Sequence, residues 1–209
     1  MKEVKELSFE FIDLALSTVI DSDLLDKVPI FGTFNKLCNI GNLFKVKCFE
    51  QKLKNFFIEI ESIKLEDKIK FKGKIEKLSE YKNLAERILL VLDGFDEVEK
   101  ATIIGKLFKA LILEDITMQQ YKKFMYIIDN CFLDDLIEFK EYHSFERREI
   151  SEEAQRSMLQ FGLYEIKVVD INRQRQKNKN ARKDDNFNDY NFTDYETSGI
   201  GQLILKNGF

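Results

Sequence analysis

The segment ILLVLDGFDEV, residues 88–98, has the residue types and spacing most typical of nucleotide chemistry. An apolar run followed by Asp-Gly-x-Asp-Glu places carboxylates where a nucleotide hydrolase holds magnesium against a bound triphosphate. That chemistry also requires a phosphate-binding loop of the G-x-x-x-x-G-K-[ST] kind, and the sequence contains none. The apolar residues keep helical spacing through the motif: Leu84, Ile88, Val91, Phe95 and Val98. We therefore predict an amphipathic helix here rather than a nucleotide site.

Other residues that could support catalysis or hold a metal are few. The one histidine, His143, is interpreted as a surface or capping residue, because a histidine metal site needs partners that are missing. No serine lies in a G-x-S-x-G elbow. The cysteines are odd in number and form no C-x-x-C pair, which argues against a cysteine zinc site and against a disulfide framework: Cys38, Cys48 and Cys131. We predict no enzymatic activity, no cofactor and no metal.

A lysine-rich and phenylalanine-rich segment is predicted to form a cationic amphipathic helix over residues 29–60, with a break near Glu50. Pro29 suits the first helical position, where its missing N–H costs nothing. Such a helix docks on a partner protein or lies on an anionic membrane. An ordinary core helix with a solvated lysine face is the alternative. The candidate partner or membrane surface consists of Lys36, Lys45, Lys47, Lys52, Phe31 and Phe44.

A second basic feature is RQRQKNKNARK, which contains no acidic residue. Its candidate nucleic-acid-binding residues are Arg173, Arg175, Lys177, Lys179, Arg182 and Lys183. In a winged-helix module this tract would be the wing and would contact DNA phosphates. The alternative is a solvated surface loop balanced by the aspartates that follow it, starting at Asp184.

The periodicity is helical up to about residue 143 and changes after it. Helices are predicted at 4–18, 66–78, 80–97, 99–113, 118–131 and 134–142, in addition to 29–60. Thr117 with Gln120 forms a capping box, Ser151 caps a helix that runs to Phe161, and Gly162 follows that helix.

The C-terminal pattern predicts strands in LYEIKVVDI and YNFT, separated by a long basic loop at 172–188. Thr193 with Glu196 is predicted to cap a final helix. The order of helix, strand, long loop, strand and helix favours a small winged-helix-like module.

Composition indicates a folded protein that is not coated with basic charge. The chain has 209 residues, of which 44% are hydrophobic and 33% charged, and its net charge is -4. The N-terminal MKEVKELSFEF has acidic residues where a signal peptide needs a basic and then an apolar region. Unbroken apolar runs such as ILLVL are far shorter than the roughly 20 residues of a membrane-spanning helix. We therefore expect a soluble, cytoplasmic protein.

Three segments together resemble a group of uncharacterised bacterial proteins found near mobile elements and phage-defence loci. They are LLDKVPIFGTFNKLCNIGNLFKVKCFEQKLKNFF, ILLVLDGFDEVEKATIIGKLFKALILEDITMQQYKKFMYIID and FGLYE with YNFTDYETSGIGQLILK. The resemblance implies a helical N-terminal domain with a winged-helix-like C-terminal element, and it transfers no functional residue. The motif at 88–98 also resembles the magnesium-binding strand of NACHT-type hydrolases, without their phosphate loop.

These patterns predict a mainly α (α+β) fold, with a multi-helix domain at 1–145 and a winged-helix-like module with a β-hairpin at 146–209. The first functional hypothesis is a non-enzymatic adaptor or regulatory subunit of a bacterial antiviral defence system. The alternatives are a DNA-binding protein that uses residues 173–183 and a peripheral membrane effector that uses helix 29–60. A protein partner, DNA, a membrane surface and a second copy of the chain all remain open as binding partners.

Overall fold

The computed structural model describes residues 11, 15–16, 43–75, 84–146, 148–166 and 195–209. These residues form eight helices and one two-stranded sheet. In chain order they are α1 (Leu43–Glu61), α2 (Leu65–Ile75), α3 (Leu84–Gly94), α4 (Glu99–Ile112), α5 (Met118–Asn130), α6 (Leu133–His143), α7 (Glu152–Gln160), β1 (Tyr164–Ile166), β2 (Tyr195–Thr197) and α8 (Gly199–Gly208). The prediction of a mainly α fold with a small antiparallel sheet near the C-terminus is confirmed.

Helix α4 lies at the centre of the described fold. It packs against α1, α2, α5 and α8. Its sequence, EKATIIGKLFKALI, is apolar around most of its circumference, and a helix of that kind is stable only when neighbours cover it on several sides. Ile104, Leu107 and Phe108 are fully buried.

The closest helix contact joins α4 to α1 at Gly105. A Cβ atom on Gly105 would lie 2.7 Å from the Phe56 carbonyl oxygen and 3.1 Å from Phe56 Cα. The two backbones therefore touch at a point where any side chain would hold them apart. Aromatic rings pack beside this contact. The ring centroid of Phe56 lies 5.4 Å from that of Phe108 and 5.6 Å from that of Phe11.

The C-terminal elements pack directly on this core. Helix α8 lies on α4, with Gly208 facing Ile103 and Leu107. Lys106 Nζ on α4 donates a hydrogen bond of 2.9 Å to the carbonyl oxygen of Phe209. Buried residues from both parts of the chain belong to one hydrophobic cluster. A boundary between 145 and 146 stays a prediction.

The sheet is antiparallel and short. Tyr164 pairs with Thr197, Glu165 with Glu196, and Ile166 with Tyr195. The predicted strand at LYEIKVVDI is thus described only over its first residues, and YNFT lies outside the described residues. The predicted cap by Thr193 and Glu196 is wrong, because Glu196 lies within β2. Ser198 caps α8 instead, where its Oγ accepts a hydrogen bond of 3.0 Å from the Gly201 N–H.

Three predicted helix ends depend on local chemistry and are confirmed. Thr117 and Gln120 form the reciprocal capping box at the start of α5. The Ser151 hydroxyl accepts a hydrogen bond of 3.2 Å from the Ala154 N–H and caps α7. Gly162 follows α7 with φ +73, a left-handed conformation that glycine adopts without strain.

Two helix predictions are wrong. The break near Glu50 does not occur, because α1 runs without interruption from Leu43 to Glu61. Helix α3 ends at Gly94, so the helix predicted through residues 95–98 is a turn. The predicted start at Pro29, most of the helix at 4–18 and the residues of helix 66–78 beyond Ile75 lie outside the described residues.

Because of the close contact at Gly105, we expect that adding one methyl group there changes the stability of the fold by a large amount. Gly105→Ala should lower the free energy of unfolding by about 1–3 kcal/mol, because the new Cβ forces α1 and α4 apart. Gly73→Ala is the matched control: no atom lies within 4 Å of a Cβ at Gly73 in α2, so alanine should be neutral or stabilise by up to about 1 kcal/mol. Urea denaturation followed by circular dichroism measures both. Equal stability of the two variants would contradict the close contact.

For the buried hydroxyl group of Tyr121 we expect the opposite outcome, namely no loss of stability when the group is removed. Its ring is fully buried beside Phe108, and its hydroxyl is a buried polar atom without a hydrogen-bond partner. Tyr121→Phe removes that hydroxyl, so the free energy of unfolding should stay the same or rise by about 1 kcal/mol. Thermal denaturation tests this, and a clear loss of stability would indicate that the hydroxyl has a partner.

Candidate interaction surface

The predicted lysine-rich surface is only partly a surface. Lys45 and Lys47 are exposed on α1, whereas Phe49, Phe56 and Phe57 of the same helix are buried in the core. These buried rings fit the alternative of a core helix with a solvated lysine face. Lys36 and Phe31 lie outside the described residues, as does the side chain of Phe44.

Lys52 does not belong to the predicted surface, because only 5% of it is exposed. Its Nζ donates hydrogen bonds to the carbonyl oxygens of Asp93, at 3.3 Å, and Phe95. These carbonyls lie at the C-terminal end of α3, where a cation satisfies unpaired acceptors and the negative end of the helix dipole. Burial lowers the pKa of Lys52, and the charge of Asp93 opposes this shift.

The DGFDE motif is the turn that Lys52 holds. Asp93 and Asp96 are exposed. On the inner side, Lys100 Nζ lies 3.3 Å from Glu97 Oε2 and 5.9 Å from the centroid of the Phe95 ring. Within the described part of the chain, no group of three or more His, Cys, Asp or Glu residues could hold a metal ion. The motif's clearest role is to end α3 and begin α4.

The other residues considered for chemistry are placed as follows. Cys131 is buried, and burial raises its pKa to about 12, so its thiol is protonated and unreactive at neutral pH. Cys48 is half-buried, and Cys38 lies outside the described residues. Asp134 and Asp135 lie in the first turn of α6, where the helix dipole favours them. The six basic residues predicted as a DNA-binding wing (Arg173, Arg175, Lys177, Lys179, Arg182 and Lys183) all lie outside the described residues.

His143 makes polar contacts with two residues that are remote in sequence. Its Nε2 lies 3.2 Å from Tyr164 Oη and 3.2 Å from Thr197 Oγ1. One imidazole therefore joins the end of α6 to both strands of the sheet. We call His143, Tyr164 and Thr197 the hub. The prediction of an isolated surface or capping histidine missed this arrangement, because the two hydroxyl partners are remote in sequence.

Aromatic rings surround the hub. The His143 ring centroid lies 4.8 Å from that of Phe139, 5.2 Å from Tyr142 and 5.9 Å from Tyr164. Tyr164 in turn stacks on Tyr195 at 6.5 Å. A continuous series of ring contacts thus runs from exposed Tyr142 on α6 to exposed Tyr195 on β2.

The hub is suited to holding the structure together. Burial lowers the pKa of His143, so the ring is neutral near pH 7. Burial, together with nearby Tyr142, raises the pKa of Tyr164 to about 12, which keeps the phenol protonated. A neutral imidazole between two neutral hydroxyls fixes the positions of α6, β1 and β2 relative to each other.

The segments that meet at the hub carry exposed apolar side chains. Ile166 pairs with Tyr195 across the sheet and is 53% exposed. Phe145 follows α6, is 94% exposed and has φ +63. A bulky residue rarely adopts this left-handed conformation, and such strained positions concentrate at functional sites. We call Tyr142, Phe145, Ile166 and Tyr195 the aromatic surface.

No helix within the described ranges is long and apolar enough to cross a membrane. No protein-family model, curated protein or solved structure matches the chain. The likeness to proteins of phage-defence loci therefore stays a prediction.

The contacts of Lys52 predict that its ammonium group stabilises the fold. Lys52→Met keeps the apolar stem but leaves the Asp93 and Phe95 carbonyls without their donor, which should cost about 1–3 kcal/mol in the free energy of unfolding. Lys47→Met on the exposed face of the same helix should change it by less than about 0.5 kcal/mol. Chemical denaturation distinguishes the two. A neutral Lys52→Met variant would show that the buried ammonium contributes nothing net.

Proposed function

We propose that this protein is a non-enzymatic adaptor that binds a partner protein through the aromatic surface formed by α6 and the sheet. The observation that carries the proposal is that four exposed apolar residues belong to the segments that meet at the hub: Tyr142, Phe145, Ile166 and Tyr195. On this proposal the adaptor acts in the cytoplasm of a bacterium, as part of an antiviral defence system. Only the resemblance in sequence suggests that setting.

The composition of this surface favours a protein partner. Aromatic side chains supply much of the energy of protein interfaces, because a large ring loses little conformational entropy when it is buried. Single exposed apolar residues are ordinary, whereas a contiguous group indicates a contact. Tyr142 and Tyr195 belong to one series of ring contacts, and Ile166 is the cross-strand neighbour of Tyr195.

Preorganisation supports the same conclusion. Phe139, Tyr164 and Leu163 are buried beneath the surface and belong to the main hydrophobic cluster. The first strand is also held from below, since the Leu163 N–H donates a hydrogen bond of 2.7 Å to the Met158 carbonyl oxygen in α7. A rigid surface binds more tightly than a mobile one, because less freedom is lost on association.

The protonation states at the hub favour binding over catalysis. Activation of a hydroxyl nucleophile by histidine requires a base that accepts the proton and a third group that orients the base. Burial shifts the pKa of His143, and no carboxylate is among the causes of that shift. Thr197 Oγ1 therefore has a weak base beside it and, within the described residues, no third group that would complete a triad.

The proposed site differs from the surface predicted on helix 29–60, since Phe49, Phe56 and Phe57 are committed to the core. DNA binding by residues 173–183 and membrane binding by the lysine helix stay predictions.

A pair of double variants tests the adaptor proposal. Phe145→Asn with Ile166→Ser removes two exposed apolar groups, and asparagine suits the left-handed backbone at position 145. We expect recovery of the partner by tagged full-length protein from its host lysate to fall at least about tenfold, which corresponds to about 1.4 kcal/mol. The folding stability should stay the same or rise.

The matched control is Phe132→Asn with Leu90→Ser. Phe132 is 76% exposed and Leu90 64% exposed, and both lie outside the aromatic surface. This variant should retain the partner. Equal recovery by both variants would contradict the proposal. Recovery that disappears after nuclease treatment of the lysate would favour the DNA-binding alternative, and self-association in sedimentation experiments would identify a second copy as the partner.

A further inference from the structure

The chain contains one histidine, and that histidine joins three segments. His143 ends α6, Tyr164 lies in β1, and Thr197 lies in β2. Both hydroxyl oxygens are 3.2 Å from the same ring nitrogen. The state of one titratable ring is thereby linked to the position of the whole sheet.

Protonation changes what this nitrogen does. In the neutral tautomer with the proton on Nδ1, Nε2 accepts a hydrogen bond from a hydroxyl group. In the cation, both ring nitrogens donate, so the hydroxyl groups must reorient to act as acceptors. The cation also loses hydration where Phe139 and Tyr164 cover the ring, and burial disfavours the charged form.

The charged groups on the surrounding elements do not compensate for that loss. Among the described residues, the titratable groups facing His143 are the phenols of Tyr142 on α6 and Tyr164 on β1, with Tyr195 of β2 behind Tyr164. Phenols are uncharged between pH 5 and 8.

The carboxylates of the same elements are directed elsewhere. Glu138 of α6 accepts a hydrogen bond of 3.0 Å from the Ser151 hydroxyl at the start of α7. Glu146 lies 3.9 Å from Lys140. Glu165 and Glu196 pair with each other in the register, and alternation along the strands places them on the opposite face of the sheet from Tyr164 and Thr197. The remaining charged groups of α6 and α7, which include Glu141, Glu152 and Arg156, and Lys206 of α8 are not among the causes that shift the pKa of His143.

We propose that His143 is a proton-sensitive clasp: the neutral ring holds the sheet on α6, and protonation of the ring loosens it. The aromatic surface is then held in its binding arrangement at neutral and alkaline pH and is loosened in acid. The consequence for binding rests on the proposed adaptor function, whereas the loosening is a property of the free protein.

The direction of the pH effect follows from linkage. Burial places the pKa of His143 in the folded protein below its ordinary value of 6.5. The unfolded or detached state therefore binds a proton more readily than the folded state. The stabilisation is fully present above pH 6.5 and is lost as the pH falls from 6.5 through the folded pKa.

Hydrogen exchange of the isolated full-length protein tests the clasp. The amides to follow are Leu163 and Ser198, which donate to Met158 and Leu163 carbonyl oxygens at the edge of the sheet. Between pH 8 and pH 5 their protection factors should fall by about tenfold for each unit by which the folded pKa lies below the free value. Protection factors correct for the intrinsic pH dependence of exchange. Amides in α4, such as Leu107, should keep their protection.

His143→Phe is the decisive variant, because it retains a flat ring that does not titrate. It should abolish the pH dependence at Leu163 and Ser198, whatever its absolute stability. His143→Gln serves the same purpose if the phenylalanine variant does not fold. The pKa of His143 is read directly from its ring signals in an NMR titration, which are unique in this chain.

Three results would overturn the clasp: a His143 pKa at or above 6.5, equal protection of the sheet at pH 5 and pH 8, or the same acid loss in His143→Phe. None of these results depends on a partner, so failure of the clasp and failure of the adaptor proposal are distinguishable.

Discussion

The backbone contact between α1 and α4 at Gly105 is the constraint on which the rest of the described fold depends. The Phe56 carbonyl oxygen lies only 2.7 Å from where a Cβ of residue 105 would be, and this close approach of the two helices lets Phe56 and Phe108 share one aromatic cluster. The opposite sides of α4 are thereby left to α5 and α8. Helix α8 begins directly after β2, so the position of the sheet follows from the packing of α8 on α4.

Two of the buried lysines belong to the helices that make this close approach. Lys52 and Lys100 lie on the two helices that meet at Gly105, and both point their ammonium groups toward the turn between α3 and α4. A buried cation is tolerated only where acceptors or opposite charges replace water. The carbonyls at the end of α3 and the carboxylate of Glu97 supply them. The acidic motif that suggests nucleotide chemistry is therefore explained, within the described residues, as the polar end of the core.

Sequence reasoning succeeded where the determining contacts are local. The capping box at Thr117, the serine cap at Ser151 and Gly162 in its left-handed conformation each depend on atoms within a few residues. Predictions from the sequence failed where a residue remote in sequence contacts the end or the face of a helix. Helix α3 ends at Gly94 although the apolar spacing continues to Val98, and Lys52 on another helix binds the carbonyls of the turn that follows. The periodicity of α1 likewise gave no means of distinguishing an exposed apolar face from one that α4 covers.

The contacts of the hub could not have been predicted from the types of its residues. The sequence does show which residues of each strand share a face. Strand alternation places Tyr164 and Ile166 on one face of β1 and Tyr195 and Thr197 on one face of β2, and this much follows from a period of two. The register that brings Tyr164 opposite Thr197 goes together with the docking of α8 on α4, which is a contact between residues remote in sequence. The presence of His143 at the same point depends on the packing of α6 against α7, and no local pattern encodes it.

The stability of the sheet depends on its contacts with the neighbouring helices. Over the described residues each strand has three residues, and a ladder of that length is marginal by itself. The register also sets Glu165 directly opposite Glu196, where like charges repel. A shift of one residue would relieve the repulsion but would turn Tyr164 away from the core and from His143. Burial of Tyr164, the bond from the Ser198 N–H to the Leu163 carbonyl and the imidazole of His143 therefore carry the stability that the ladder lacks. An element held mainly by its neighbours responds to a change in one of them more readily than a wide sheet would, which is why a single ring nitrogen can control it.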